Sequence, residues 1–196
     1  MPKRILVVGS KGGSSRTTTA VLLATAIAKF AERRVGIVDL DPQSSARNWI
    51  TTFPIPNVEA SDASGNQDYL ITDTQPLVDP SGEMVLAARK ADLILLLCSD
   101  SPLDVHASTL TVKNLLKTKA LKHKTHVLFS RVVNGTGLAQ QLDSNAEILG
   151  VQRLKSVISF RNCYRLAPIK GWKALNATAK QEVQKLTIEV LALLNN

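Results

Sequence analysis

The chain has 196 residues, 44% of them hydrophobic, which is enough to bury the core of one domain. Two cysteines far apart exclude a disulfide framework, and the lack of Cys or His near them at ligand spacing excludes a zinc site. The absence of a long apolar run argues against a membrane span or signal peptide and for a cytoplasmic protein. A formal net charge of +8 favours polyanionic partners, with a merely solvated basic surface as the plain alternative.

In chain order, Arg4 to Gly9 is predicted as a first strand. It runs into Ser10-Lys11-Gly12-Gly13-Ser14-Ser15-Arg16-Thr17-Thr18, where small residues, cations and hydroxyls precede a helix carrying Leu23, Ala26, Ile27 and Phe30 at helical spacing. Such a strand, loop and helix present backbone N–H groups and a helix N-terminus to phosphate. A second strand, Val35 to Asp39, delivers Asp39-Leu40-Asp41-Pro42-Gln43 to its C-terminal end, where ligands bind in open α/β sheets. A helix with Trp49 and Ile50 follows, then a connection through about Gln67 with room for one short strand.

Tyr69 to Asp73 reads as a third main strand ending in another carboxylate, and a helix over about Gly82 to Lys90 comes next. The unbroken Leu/Ile run within Asp92 to Cys98 predicts a strand covered on both faces. A long helix is expected from Ser101 to about Lys119, a strand from Thr125 to Ser130, a helix within Gly135 to Gly150, a short strand near Ser156 to Ser159, and then a polar and aromatic loop. Val183, Leu186, Val190 and Leu194 fall on one face of a C-terminal helix over Ala177 to Leu194. The alternation predicts one doubly wound, mostly parallel α/β domain of the P-loop type over 1–196. It brings Gly12, Gly13, Arg16, Thr17, Asp39, Asp41 and Asp73 to one sheet edge. Phosphoryl transfer needs such a set: amides and cations for phosphate charge, a hydroxyl for a metal ion, and carboxylates for metal and water.

Lys11 to Thr18 resembles the deviant Walker A box of the ParA/MinD ATPases, whose pattern is Lys-Gly-Gly-x-Gly-Lys-Thr-Thr/Ser. Val38-Asp39-Leu40-Asp41-Pro42-Gln43 is similar to that family's second motif, Ile71-Thr72-Asp73-Thr74-Gln75-Pro76 to its Walker B segment, and Ser101-Pro102-Leu103-Asp104 to a turn of small ParA proteins of the ParF or McdA kind. The resemblance implies a slow ATPase using ATP/ADP and Mg2+. Lys11 would be the signature lysine reaching a partner's phosphates, Asp41 would position the attacking water, and Arg16 would complete the catalytic set. Gly12, Gly13, Ser14, Ser15, Arg16, Thr17 and Thr18 would hold phosphate; Thr17, Asp39 and Asp73 would hold magnesium; Arg161 and Pro168 would border the base.

Two departures stand out. Ser15 occupies a glycine position, at a cost on the order of 1 kcal/mol. Arg16 replaces the P-loop lysine, keeping its charge but not its shape, so binding without efficient hydrolysis, or a decayed loop, stays open beside slow turnover.

The resemblance further implies an ATP-bound homodimer that holds nonspecific DNA, associates with the nucleoid, and is released when a centromere-binding protein or cargo adaptor stimulates hydrolysis. Lys113, Lys117, Lys119, Lys122, Lys124, Arg153, Lys155, Lys170 and Lys173 are the candidate DNA contacts. The cargo is a plasmid, a chromosome or a protein body such as a carboxysome. A MinD-like membrane switch is disfavoured because the last helix is not basic. A metabolic enzyme of the same P-loop class, or a nucleotide-binding scaffold, completes the alternatives.

Overall fold

The computed structural model describes residues 1–62, 65–76, 82–115 and 119–195, leaving aside the side chains of 119–120. Strands β1 (Lys3–Gly9), β2 (Val35–Asp39), β3 (Val58–Ala60), β4 (Tyr69–Asp73), β5 (Leu93–Cys98), β6 (Thr125–Val132) and β7 (Gln152–Arg153) form a sheet in the order β3-β2-β4-β1-β5-β6-β7, with β8 (Ile158–Ser159) also pairing β6. Every named pairing is parallel.

Alternate side chains of each central strand enter opposite cores, as the pleat requires. Ile5, Val7, Leu93, Leu95 and Leu97 pack under α1 (Arg16–Phe30), α2 (Ser45–Thr52), α7 (Asn162–Lys170) and α8 (Ala177–Asn195). Leu6, Val8, Ile94, Leu96 and Cys98 pack under α3 (Gly82–Lys90), α4 (Pro102–Leu115), α5 (Lys119–Lys122) and α6 (Leu142–Leu149). Two covered faces explain why these strands read as continuous apolar runs rather than alternating ones. Both cysteines are free thiols, Cys98 buried and Cys163 partly so.

The helix predicted from Ser101 to about Lys119 is described over Pro102–Leu115; 116–118 lie outside the described residues, and Lys119–Lys122 are helical as α5. The open possibility of a strand before Gln67 is realised as β3. The polar and aromatic loop expected after β8 is the helix α7, even though Pro168 lies inside it. Tertiary packing overrides the proline: Tyr164 and Ala167 are buried in the α1–α8 core, and the Tyr164 hydroxyl donates to Ala179 O at 3.1 Å and to Glu182 Oε2 at 2.8 Å.

Candidate functional site

The loop between β1 and α1 crosses the C-terminal edge of the sheet. Gly9 ends β1 where a Cβ would come within 2.7 Å of Ser14 Oγ and 3.2 Å of Leu97 O, so the chain can fold back only without a side chain. Gly13 and Ser15 both take left-handed backbone, at φ 72° and 68°. Ser15 O then accepts the Thr19 amide at 2.8 Å, opening α1. Because Ser15 sits where glycine is at ease, Ser15→Gly is expected to raise stability by up to about 1 kcal/mol, read as a higher urea midpoint at unchanged slope. No acidic residue lies in the first turn of α1, which leaves that positive end for an external anion.

Arg16 turns inward, under the loop. Its guanidinium donates to Thr74 O at 2.8 Å, Lys11 O at 2.6 Å, Gly9 O at 3.2 Å and Ser14 Oγ at 3.0 Å, and the residue is buried. Burial pulls its pKa below the usual arginine value, while the Asp73 and Asp41 carboxylates pull the other way. In this geometry the side chain binds the strand end, the loop and the segment after β4 together.

The strand ends bring the carboxylates to the same edge. Asp39 and Asp73 are register partners on β2 and β4. Asp73 is fully buried; Thr17 Oγ1 donates to its Oδ2 at 2.6 Å and the Thr74 amide to its Oδ1 at 3.0 Å. Burial, with a contribution from Asp39, outweighs those hydrogen bonds and pushes its pKa up to about 6. Asp39 accepts the Asp41 and Arg47 amides, each at 3.0 Å, so it braces both its own turn and the start of α2. Asp41 accepts the Gln43 amide at 2.9 Å and is partly exposed.

Among the described residues no group of three or more His, Cys, Asp and Glu is placed to hold a metal by itself. A hydroxyl beside one buried carboxylate, with a second on the neighbouring strand, instead fits magnesium, which keeps waters and shares its coordination with substrate phosphates.

Lys11 is not free. Its Nζ lies 2.7 Å from Asp104 Oδ1, with the two side chains 46% and 29% exposed, and Ser99 Oγ donates to Asp104 Oδ2 at 2.7 Å. Burial alone would raise the Asp104 pKa; the hydrogen bonds from Lys11 and Ser99 hold it below the usual carboxylate value.

Beside the loop, a cavity of about 420 Å³ is lined by Gly13, Ser15, Thr18, Arg131, Phe160 and Arg161, among others. Arg161 reaches it tied to Glu182, at 3.1 Å from Nε and 2.9 Å from Nη2. Pro168 lies one turn beyond Tyr164 in α7, outside the lining, so the structure does not bring it to the others. Sequence reasoning missed Arg131. Its Nη1 donates to Gly13 O at 3.2 Å, its guanidinium lies 5.7 Å from the Phe160 ring centre, and its φ is 60°. The available signal was a cation following the hydroxyl of Ser130 at the end of β6; Ser130 Oγ donates to Ser14 O at 3.1 Å.

Of the candidate DNA contacts, Lys113, Lys122, Lys155, Lys170 and Lys173 are exposed. Lys124 donates to the carbonyls of Arg89 and Ala91, and Arg153 pairs with Asp143. Lys117 and the side chain of Lys119 lie outside the described residues.

Residues 5–173 match the family described as the CobQ/CobB/MinD/ParA nucleotide binding domain. The maintenance of carboxysome distribution protein A of Halothiobacillus neapolitanus is 25% identical, with 95% of each chain covered; that of Gloeobacter kilaueensis is 28% identical, covering 90% of this chain and 88% of its own. A solved complex of a Cyanothece McdA variant with ATP superposes with a TM-score of 0.75 at 16% identity, covering 97% of this chain and 96% of that one. No helix among the described residues is long and apolar enough to cross a membrane.

Proposed function

This chain belongs to the CobQ/CobB/MinD/ParA nucleotide-binding domain family, and from that premise we propose that it is an ATP-driven positioning ATPase that uses DNA as its track. The observation that carries the reading is the convergence of the Lys11–Thr18 loop with Thr17, Asp39, Asp41 and Asp73 at one sheet edge. The cargo favoured is a protein body, since both sequence relatives are named for carboxysome distribution; plasmid partition is the second reading.

In this proposal the amides of Gly12 to Thr18 cradle the phosphates of ATP, and Arg131 and Arg161 flank the base and sugar. Thr17, Asp73 and, in support, Asp39 hold magnesium, which neutralises phosphate charge when bound. Asp41, partly exposed at the mouth of the site, orients the attacking water. Lys11 reaches the phosphates of a second copy. Arg16, occupied with backbone carbonyls, supplies its charge from beneath the loop.

The test is DNA binding with ATP, ADP or no nucleotide at several salt concentrations. ATP-dependent binding that weakens steeply with salt, is lost in Lys11→Ala and is kept without turnover in Asp41→Ala is the expected result. Binding indifferent to nucleotide would sink the reading. Adding a centromere-binding protein or a cargo adaptor, and asking which one accelerates turnover, separates the two cargo readings.

The Lys11–Asp104 ion pair must open before Lys11 can reach another molecule. Asp104→Asn is therefore expected to strengthen ATP-dependent self-association about threefold, the modest effect proper to a half-exposed pair. Sedimentation velocity with ATP and with ADP measures it; equal gains with both nucleotides would remove Lys11 from the dimer contact.

A further inference from the structure

At the other end of α1 lies a second cavity, of about 820 Å³, that the proposed ATPase does not use. Its walls are the last turn of α1 with Ala28 and Lys29, the connection from Phe53 to Asn57 after α2, and the short turn Lys170 to Lys173 after α7. Thr18 lines the nucleotide-side cavity and Lys29 this one. Thr25, the nearest α1 residue in this lining, is seven residues from Thr18, about 10 Å at the helical rise, so the two are distinct.

The walls are fixed by backbone bonds. Phe53 N donates to Trp49 O at 2.8 Å, Val58 N to Ile55 O at 3.0 Å, Val35 N to Asn57 O at 2.8 Å and Leu175 N to Trp172 O at 3.2 Å. Gly171 turns at φ 62°, where an added Cβ would lie 4.0 Å from Phe53 Cβ, and Trp172 meets the Phe30 ring edge-on at 6.1 Å.

The chemistry of the lining selects the occupant. Phe53, Pro54, Ile55, Pro56 and Trp172 supply apolar surface; the charged lining residues are Lys29, Lys170 and Lys173, and none is acidic. A small-metabolite site carries a few precisely placed polar groups that fix orientation. Here the Thr25 hydroxyl, the polar group on the buried side of the lining, already donates to Val21 O at 2.7 Å. Beside the exposed Thr52 and Asn57, what remains is shape with a cationic rim, the pattern that recognises an apolar anchor flanked by carboxylates. A DNA backbone would find the lysines but has no group to fill the apolar interior.

We propose that this cavity is a docking site for an acidic segment of a partner protein, its bulky apolar side chains inserted between Phe53 and Trp172 and its carboxylates facing Lys29, Lys170 and Lys173. The proposal does not depend on ATP turnover.

The experiment titrates the full chain with a short fluorescein-labelled peptide of Asp and Glu carrying Leu and Phe anchors. Anisotropy follows binding and the emission of Trp172 follows occupancy, because Trp49 is buried in α2 and Trp172→Phe supplies the blank. Saturable binding with a shift in Trp172 emission is expected. Lys29→Glu combined with Lys173→Glu should weaken it about tenfold or more, as should a peptide with Ser in place of its anchors. Both lysines are exposed, so an unchanged melting curve separates lost docking from lost folding. Parallel arms use an aromatic sulfonate dye, duplex DNA and single-stranded DNA. Absence of peptide binding, binding indifferent to the lysine reversals, or a Trp172 response to the dye or to DNA but not to the peptide would overturn the proposal.

Discussion

Arg16→Ala is expected to lower the unfolding free energy by about 3 kcal/mol, with the loss concentrated in the loop and the segment after β4. The guanidinium is the shared donor to Gly9 O, Lys11 O and Thr74 O. Truncation strands those carbonyls where water has little access, and each hydrogen bond lost to a charged donor is worth on the order of 1.5–3 kcal/mol. Relief of the buried cation's desolvation returns part of that sum. Urea unfolding gives the total, and hydrogen exchange at the loop amides shows whether the loosening is local. A variant as stable as the parent would mean that the loop holds its shape without Arg16. Arg16→Lys is expected to fall between the two in stability. One ammonium cannot span the same acceptors, and a lysine released from Thr74 O can turn toward phosphate, so a rise in turnover is the expected companion result.

Asp73→Asn is expected to stabilise the nucleotide-free chain by roughly 3 kcal/mol at pH 8 and by almost nothing near pH 3. Its carboxyl is pushed up to about 6 in the folded chain from 3.8. Below about pH 3 the folded and unfolded states both hold the proton, and nothing is lost. As pH rises toward 6 the unfolded chain releases the proton first, so folding weakens; above 6 the cost is complete, about 1.36 kcal/mol for every tenfold difference in proton affinity between the two states. An amide does not titrate, so the variant's stability should lack this decline. Melting curves at several pH values, without nucleotide, read the difference directly; parallel profiles for parent and variant would assign the titration to another group. In the proposed site the same proton competes with magnesium. Stabilisation of the parent by magnesium with ADP should therefore weaken about tenfold in affinity per pH unit below 6 and be lost in Asp73→Asn.

The parts of this fold that follow from local pattern were legible. Leu93 to Cys98 could be read as a doubly covered strand because alternate residues enter two cores. Asp39 and Asp73 could be placed together because parallel strands end on one edge. The left-handed turn at Ser15 also followed from what a glycine position there demands. What stayed hidden depends on long-range partners. Asp104 holds Lys11 from 93 positions away, and Arg131 reaches Gly13 from 118. The inward turn of Arg16 is set by where carbonyl oxygens converge, which no residue spacing encodes. Likewise α7 forms across Pro168 because Glu182, on α8, gathers Ser159, Arg161 and Tyr164.

The sheet's borders are β3, three residues long, on one side and β7 and β8, two residues each, along β6 on the other. Short borders offer a foreign strand few open backbone groups to pair with. A protein meant to crowd onto a shared surface would otherwise risk zipping together irreversibly, edge to edge. With its margins trimmed, this chain can be concentrated locally, and the self-association proposed above would stay with the loop-bearing rim, where side chains can be let go again.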